Sequence, residues 1–170
     1  MIRQLRQGGY TLIELLLYIA LIGALLTGVV FFFSITLDAR AKNQSISEVN
    51  DQGAIIMQTI VQTIHNATSV SSPAAGASGA SLTLVVPTGS LSPTVFDLSS
   101  SIIRIKEGAG AVVALSNDNV QVTSLTFRNL TKTGTTGQVQ VSFTLSRVNA
   151  SSRNEYDYQK TFVSSAEIGL

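Results

Sequence analysis

From Leu15 to Leu37 the chain runs 23 residues without a formal charge. As a helix, at about 1.5 Å per residue, this run is roughly 34 Å long, enough to cross a hydrocarbon core of about 30 Å. Thr27, Ser34, Thr36 and the Tyr18 hydroxyl are its polar groups. Threonine and serine are tolerated there because their hydroxyls can return to the helix backbone. After Leu37 the pattern turns amphipathic. Ile46, Val49, Gly53, Ile56 or Met57, Ile60, Ile64 and Ala67 recur at three or four residues, and Lys42, Gln44, Glu48, Asp51, Gln52, Gln58 and Gln62 occupy the other face. The two patterns join into one helix from about Thr11 to Asn66, with Gly53 as a place for it to bend.

Residues 68–81 are rich in Ser, Ala and Gly, contain Pro73, and read as a flexible connection. From Ser81 the period changes to two. Strands are expected at Ser81–Val86, Thr94–Leu98, Ile102–Lys106, Ala111–Leu115, Val120–Asn129, Gln138–Arg147 and Tyr156–Ser164. Val139, Val141, Phe143 and Leu145 alternate with polar residues, which is the mark of a sheet with one buried face. The alternation slips between Val122 and Leu125, predicting a bulge. Gly108-Ala109-Gly110 and Lys132–Gly137 read as turns. The fold class is α+β: a long N-terminal helix, apolar then amphipathic, packed on a C-terminal antiparallel sheet.

Charge orients the apolar segment. Arg3 and Arg6 precede it with no acid before Glu14, so its N-terminus is expected in the cytoplasm and its C-terminal side outside. Arg40 and Lys42, partly offset by Asp38, blunt that asymmetry. Ala39-Arg40-Ala41 has the small-x-small form of a signal-peptidase site, but a secretory h-region spans about 7–15 residues, far less than this run. An uncleaved anchor carrying an extracytoplasmic β domain that binds a ligand is the competing arrangement.

Glu14 does not suit a plain anchor. A carboxylate at membrane depth costs about 2.5–3.5 kcal/mol at mid-bilayer and less near the interface, so it either reaches the headgroups or finds a partner. Its setting is a short basic leader ending in Gly8-Gly9, then Tyr10-Thr11-Leu12-Ile13-Glu14-Leu15-Leu16, then the apolar run. This resembles the N-terminus of type IV prepilins and type II secretion pseudopilins. The resemblance implies that prepilin peptidase cuts after Gly9 and that the new N-terminus, Tyr10, is N-methylated. It implies that Glu14 pairs with the N-terminal amine of a neighbouring subunit. Tyr10 stands where phenylalanine is commoner and keeps the ring. Phe31 stands where many major pilins carry a helix-kinking proline, which favours a minor or pseudopilin type.

A second resemblance covers the late half. Ile103-Arg104-Ile105-Lys106, Leu115-Ser116-Asn117, Val120-Gln121-Val122 and Leu125-Thr126-Phe127, followed by one long strand and a last one, are similar in order to J-type pseudopilins and W-type minor pilins. The implied organisation is a leader at 1–9, a membrane and filament-core helix at 10–37, an amphipathic helix at 38–67, a linker at 68–81 and a β-rich domain at 82–170. The implied partners are prepilin peptidase, other pilin-like subunits, an inner-membrane assembly platform and the membrane itself, crossed once. The implied location is the bacterial inner membrane, and an extracytoplasmic filament after assembly.

Composition narrows the chemistry. Charged residues make up 12% of the chain, about half the usual share, and the formal charge of +1 shows no basic field for nucleic acid. Loss of a leader holding Arg3 and Arg6 would take that charge to −1. With no cysteine there is no disulfide, thiolate zinc site or cysteine nucleophile, and His65, the sole histidine, cannot form a multi-His metal cage. No cofactor is expected, and catalysis is not, because convergent acid–base groups are missing. Asn117-Asp118-Asn119 offers oxygen ligands but reads as a turn. Sequons begin at Asn43, Asn66, Asn129 and Asn149, a chance product of a Ser/Thr-rich chain. Gly23 and Gly28 are five apart, not the four of a GxxxG pair.

Overall fold

The computed structural model describes residues 11–132, 134–150 and 152–169. Gly9 and Tyr10, the expected processing pair, lie outside the described residues. The chain divides into two units, Met1–Arg40 and Ala41–Leu170. Helix α1 (Leu12–His65, 54 residues) contributes to both, and its ends fall within one residue of those expected.

In the first unit the hydroxyls of the apolar run turn back on the helix. Thr27 Oγ1 donates to the Gly23 carbonyl (2.8 Å), Ser34 Oγ to Val30 (3.2 Å) and Thr36 Oγ1 to Phe32 (2.9 Å). Each of these three hydroxyls is satisfied inside its own segment, which is what an apolar solvent demands.

In the second unit α1 buries Ser45, Val49, Gly53, Ile56, Ile60 and Ile64, spaced by three or four. The stripe follows the expected path except at its start, where Ser45 is buried and Ile46 only half so. Ser45 Oγ donates to the Ala41 carbonyl at 2.9 Å, so its burial strands no hydroxyl. Gly53 serves packing: a Cβ there would overlap the ring of Phe162. Hydrogen gives the ring its seat against the helix backbone.

The described strands are β1 (Ser69–Ser72), β2 (Ser78–Gly79), β3 (Leu82–Val85), β4 (Thr94–Ser99), β5 (Ile102–Glu107), β6 (Val112–Ala114), β7 (Val120–Asn129), β8 (Gln138–Arg147) and β9 (Gln159–Glu167). They pair antiparallel, as expected, but form two sheets: one ordered β1-β3-β4-β5-β6, the other β2-β7-β8-β9. A period of two reports that a face is buried and is silent on which sheet a strand joins. The inner faces and the α1 stripe form one core, in which Leu82, Leu84, Phe96, Ile103, Phe127, Val139, Val141, Phe143 and Leu145 are fully buried. Phe96 of the first sheet meets Phe127 of the second at 6.5 Å between ring centres. The bulge lies between Val122 and Ser124, where the alternation slips.

Two expectations need correction. Residues 68–81 are not a free connection, because β1 pairs with β3 and β2 with β7. The tie is Asn129, buried at 3% exposure. Its Nδ2 donates to the Pro73 carbonyl (2.8 Å), its Oδ1 accepts from the Thr131 N–H (3.0 Å), and its backbone bonds Gly76 and Ala77. Composition reads a Ser/Ala/Gly stretch as loose; strand pairing at both of its ends and a buried amide elsewhere in the chain hold it. The last strand runs Gln159–Glu167, because Asn154–Tyr156 forms a single 3-10 turn.

Asn129→Ala is expected to cost about 2–3 kcal/mol, since it leaves the buried Pro73 carbonyl and the part-buried Thr131 N–H without this partner. Thermal unfolding of the full chain in detergent reads this as a lowered midpoint. The same burial removes Asn129 as a glycan acceptor.

Candidate functional site

The most distinctive chemical surface is the first half of α1. No part of its most apolar window is buried in the protein. Leu16, Ile19, Leu25, Val30, Phe31, Phe32, Phe33 and Leu37 are all more than half exposed. A monomer that met only water would not keep so large an apolar face, so this surface belongs against lipid or other helices. α1 is long and apolar enough to cross a membrane.

The helix starts at a defined cap. Thr11 Oγ1 accepts from the Glu14 N–H at 3.3 Å, and the Thr11 carbonyl accepts from the N–H groups of Glu14 (3.0 Å) and Leu15 (3.1 Å). Thr11 is thus the N-cap and Glu14 the third helical residue, the spacing of a capping box. Glu14 places its carboxylate in the first turn, where the exposed N–H groups and the helix dipole favour negative charge. It is partly shielded, while the flanking Leu12 and Ile13 are 79% and 75% exposed. Among the described residues, Glu14 is the one acid placed in the apolar half before Asp38.

The sequence singles out Glu14 by its charge; the cap at Thr11 emerges from the structure. The Thr-x-x-Glu spacing was the available signal, and the periodicity of the apolar run obscured it.

The second unit, Ala41–Leu170, holds the other polar residues singled out in the sequence. His65 is exposed at the helix end, where its carbonyl accepts from the Gly169 N–H at 3.0 Å. It borders an open cleft of about 630 Å³ shared with Asn66, Thr88, Thr94 and Glu107. Asn117 forms a turn, with Asn119 N–H donating to its Oδ1 at 3.1 Å, and its Nδ2 donates to Glu48 Oε1 at 2.6 Å. Among the described residues, no group of three or more His, Asp or Glu side chains is placed to hold a metal.

At the opposite end of this unit, Lys42 reaches the 3-10 turn before β9. Its Nζ donates to the Asp157 carbonyl (2.5 Å) and the Asn154 carbonyl (3.3 Å). Arg153 pairs with Glu155 at 3.2 Å, and its guanidinium lies 5.9 Å from the centre of the Tyr156 ring. The Glu155 carboxyl is held below the usual carboxylate range, first by its own backbone N–H and then by Arg153.

Residues 4–30 match the family described as the prokaryotic N-terminal methylation motif. The match begins in the leader and runs through Thr11 and Glu14 into the apolar helix. This is the type IV prepilin-type signature. The match covers 27 of the 170 residues and supports a prepilin-like N-terminus. No curated protein and no solved structure matches the chain.

Proposed function

We propose that a chain bearing this prepilin-type signature is a minor pilin or pseudopilin subunit, cut after Gly9 and assembled through α1 into a type IV pilus or a type II secretion pseudopilus. The observation that carries the reading is one continuous arrangement. The methylation motif ends inside a helix whose apolar half is bare, and a single acid stands in that helix's first turn.

Cutting after Gly9 would create an ammonium at Tyr10, four residues before Glu14. N-methylation keeps that charge. In a dry bundle of helices an amine from one subunit and a carboxylate from the next attract strongly, although desolvation offsets much of the gain. The pairing therefore acts more as a register key than as a source of stability: a subunit docked one step out leaves a charge unpaired. Before assembly the same helix would anchor the chain in the bacterial inner membrane with the β unit outside. Prepilin peptidase, other pilin-like subunits and an inner-membrane assembly platform are the proposed partners. A J-type or W-type minor subunit is the finer assignment, supported by Phe31 in place of a kinking proline and by the strand order.

Intact-mass and N-terminal analysis of the mature chain tests this reading. The expected result is a chain starting at N-methylated Tyr10, and Gly9→Val is expected to leave the leader attached. A wild-type chain that keeps its first nine residues in cells containing the peptidase would support an uncleaved anchor instead. A start at Lys42 would indicate ordinary signal processing.

A further inference from the structure

The open cleft beside His65 lies wholly within the second unit and takes no part in the proposed assembly. It sits where the core rows of the first sheet change character. Ile103, Ile105 and Glu107 alternate along β5 and so share its inner face. Across the sheet one row reads Leu82, Phe96, Ile105, and the next reads Leu84, Thr94, Glu107. The first is apolar throughout; the second ends in a carboxylate. Among the described residues the Glu107 side chain takes no hydrogen bond and no ion pair. Lys106, its neighbour in sequence, alternates onto the other face.

The C-terminal end of α1 lines the same cleft through Thr63 and His65. A helix C-terminus carries about half a negative charge, so it and Glu107 bias the cleft the same way, toward a cation. Among the described residues no lysine or arginine lines it. Two lining hydroxyls have already given their protons to the protein. Thr63 Oγ1 donates to the Thr59 carbonyl (2.8 Å) and Thr94 Oγ1 to the Leu91 carbonyl (2.9 Å), which leaves each oxygen only its lone pairs to offer. The other wall is apolar, formed by Val86, Pro87 and Leu91, the last 40% exposed. It is held in place: the Gly108 N–H donates to the Pro93 carbonyl (2.9 Å), and with the Thr94 bond this fixes the 3-10 turn Gly89–Leu91 beside the end of β5. A volume of about 630 Å³ is that of a small-molecule site, and a few polar groups set against an apolar wall are its usual make-up.

We propose that this cleft binds a primary alkylammonium group, with the Glu107 carboxylate and the threonine oxygens on the nitrogen and the aliphatic stem along Leu91 and Pro87. An ammonium carries three donors and no acceptor, which is the complement of a lining whose hydroxyls can only accept. Its bond to a carboxylate is charge-assisted and stronger than a neutral one. A free amine and a lysine side chain carry the same head. The site is built from the second unit alone and is independent of the proposed processing and assembly.

His65 is the sole histidine, so the NMR signal of its imidazole is a reporter in the cleft that needs no assignment. The full chain in zwitterionic detergent is titrated with n-butylammonium and with Nα-acetyl-lysine amide, at mildly alkaline pH where an ordinary imidazole is neutral. The expected result is a saturable shift of the His65 signal. Glu107→Gln keeps the side chain's shape at an exposed position and is expected to weaken binding about tenfold or more. Asp118→Asn removes the same charge from the exposed turn after β6 and is expected to leave the affinity unchanged. Nα,Nε-diacetyl-lysine amide, the same stem without the charge, is expected not to saturate. Saturation by both charged probes supports a site that admits a lysine side chain; saturation by butylammonium alone supports one for small amines. A His65 signal that neither charged probe moves overturns the proposal. Equal shifts from the diacetyl compound, or equal weakening by Asp118→Asn, overturn it too, in favour of apolar partition or of general surface charge.

Discussion

Glu14→Val is expected to leave the chain in the membrane and out of the filament. Removing the acid makes the helix more apolar, so insertion is unimpaired or improved. Assembly is another matter. The amine at the mature N-terminus would enter the bundle without its partner, and breaking a buried pair from one side costs about 3–5 kcal/mol. At about 1.4 kcal/mol per tenfold, this corresponds to a loss of roughly a hundredfold or more in incorporation. Comparing sheared filaments with the membrane fraction by immunoblot reads both effects at once. Thr11→Ala separates the two roles of this helix end. It removes the cap seen at the Glu14 N–H and is expected to cost about 1 kcal/mol of helix-end stability while sparing the pairing. Equal filament levels in Glu14→Val and wild type would remove the role assigned to the acid.

Gly53→Leu is expected to disrupt the second unit more than any comparable change on the outer face of α1. A side chain at 53 would enter the space of the Phe162 ring, itself stacked on Phe143 at 5.3 Å. Phe143 is fully buried, so the displaced ring has no free side to move into except away from the helix. Overpacking of this kind costs about 1–3 kcal/mol and sometimes more. Gly53→Ala sets two effects against each other. Alanine gains about 0.8–1 kcal/mol of helix propensity and pays for it in the ring contact. Because the added carbon meets the ring itself, a net loss is expected. Pairing Gly53→Ala with Phe162→Leu is expected to recover most of that loss, a coupling that a helix-propensity effect would not show. Thermal unfolding of the full chain in detergent measures all three; a stabilised Gly53→Ala would show that the ring has room to retreat.

Much of this protein was legible without coordinates. A 23-residue run without charge determines a membrane-length helix whatever follows it, because the rise per residue and the absence of charge are local properties. The strands β7 and β8 were legible for a similar reason: alternation over ten residues requires one buried face, and even the bulge announced itself as a slip of phase. The N-terminal methylation motif was also readable, being carried by consecutive residues within the matched span 4–30.

Contacts between distant residues decided the rest. The Ser/Ala/Gly segment became two paired strands because β3 and β7 offer it edges, and Asn129, more than fifty positions away, holds the Pro73 carbonyl between them. Gly53 became a ring seat rather than a bend because β9 brings Phe162 over it. The division into two sheets, and the strap from Lys42 to the turn at Asn154, depend on pairings that leave no periodic trace in either partner. Sequence by itself determined which surfaces must leave water, since that depends on each segment alone; only the tertiary structure decided what each surface meets, because a contact belongs to two segments at once.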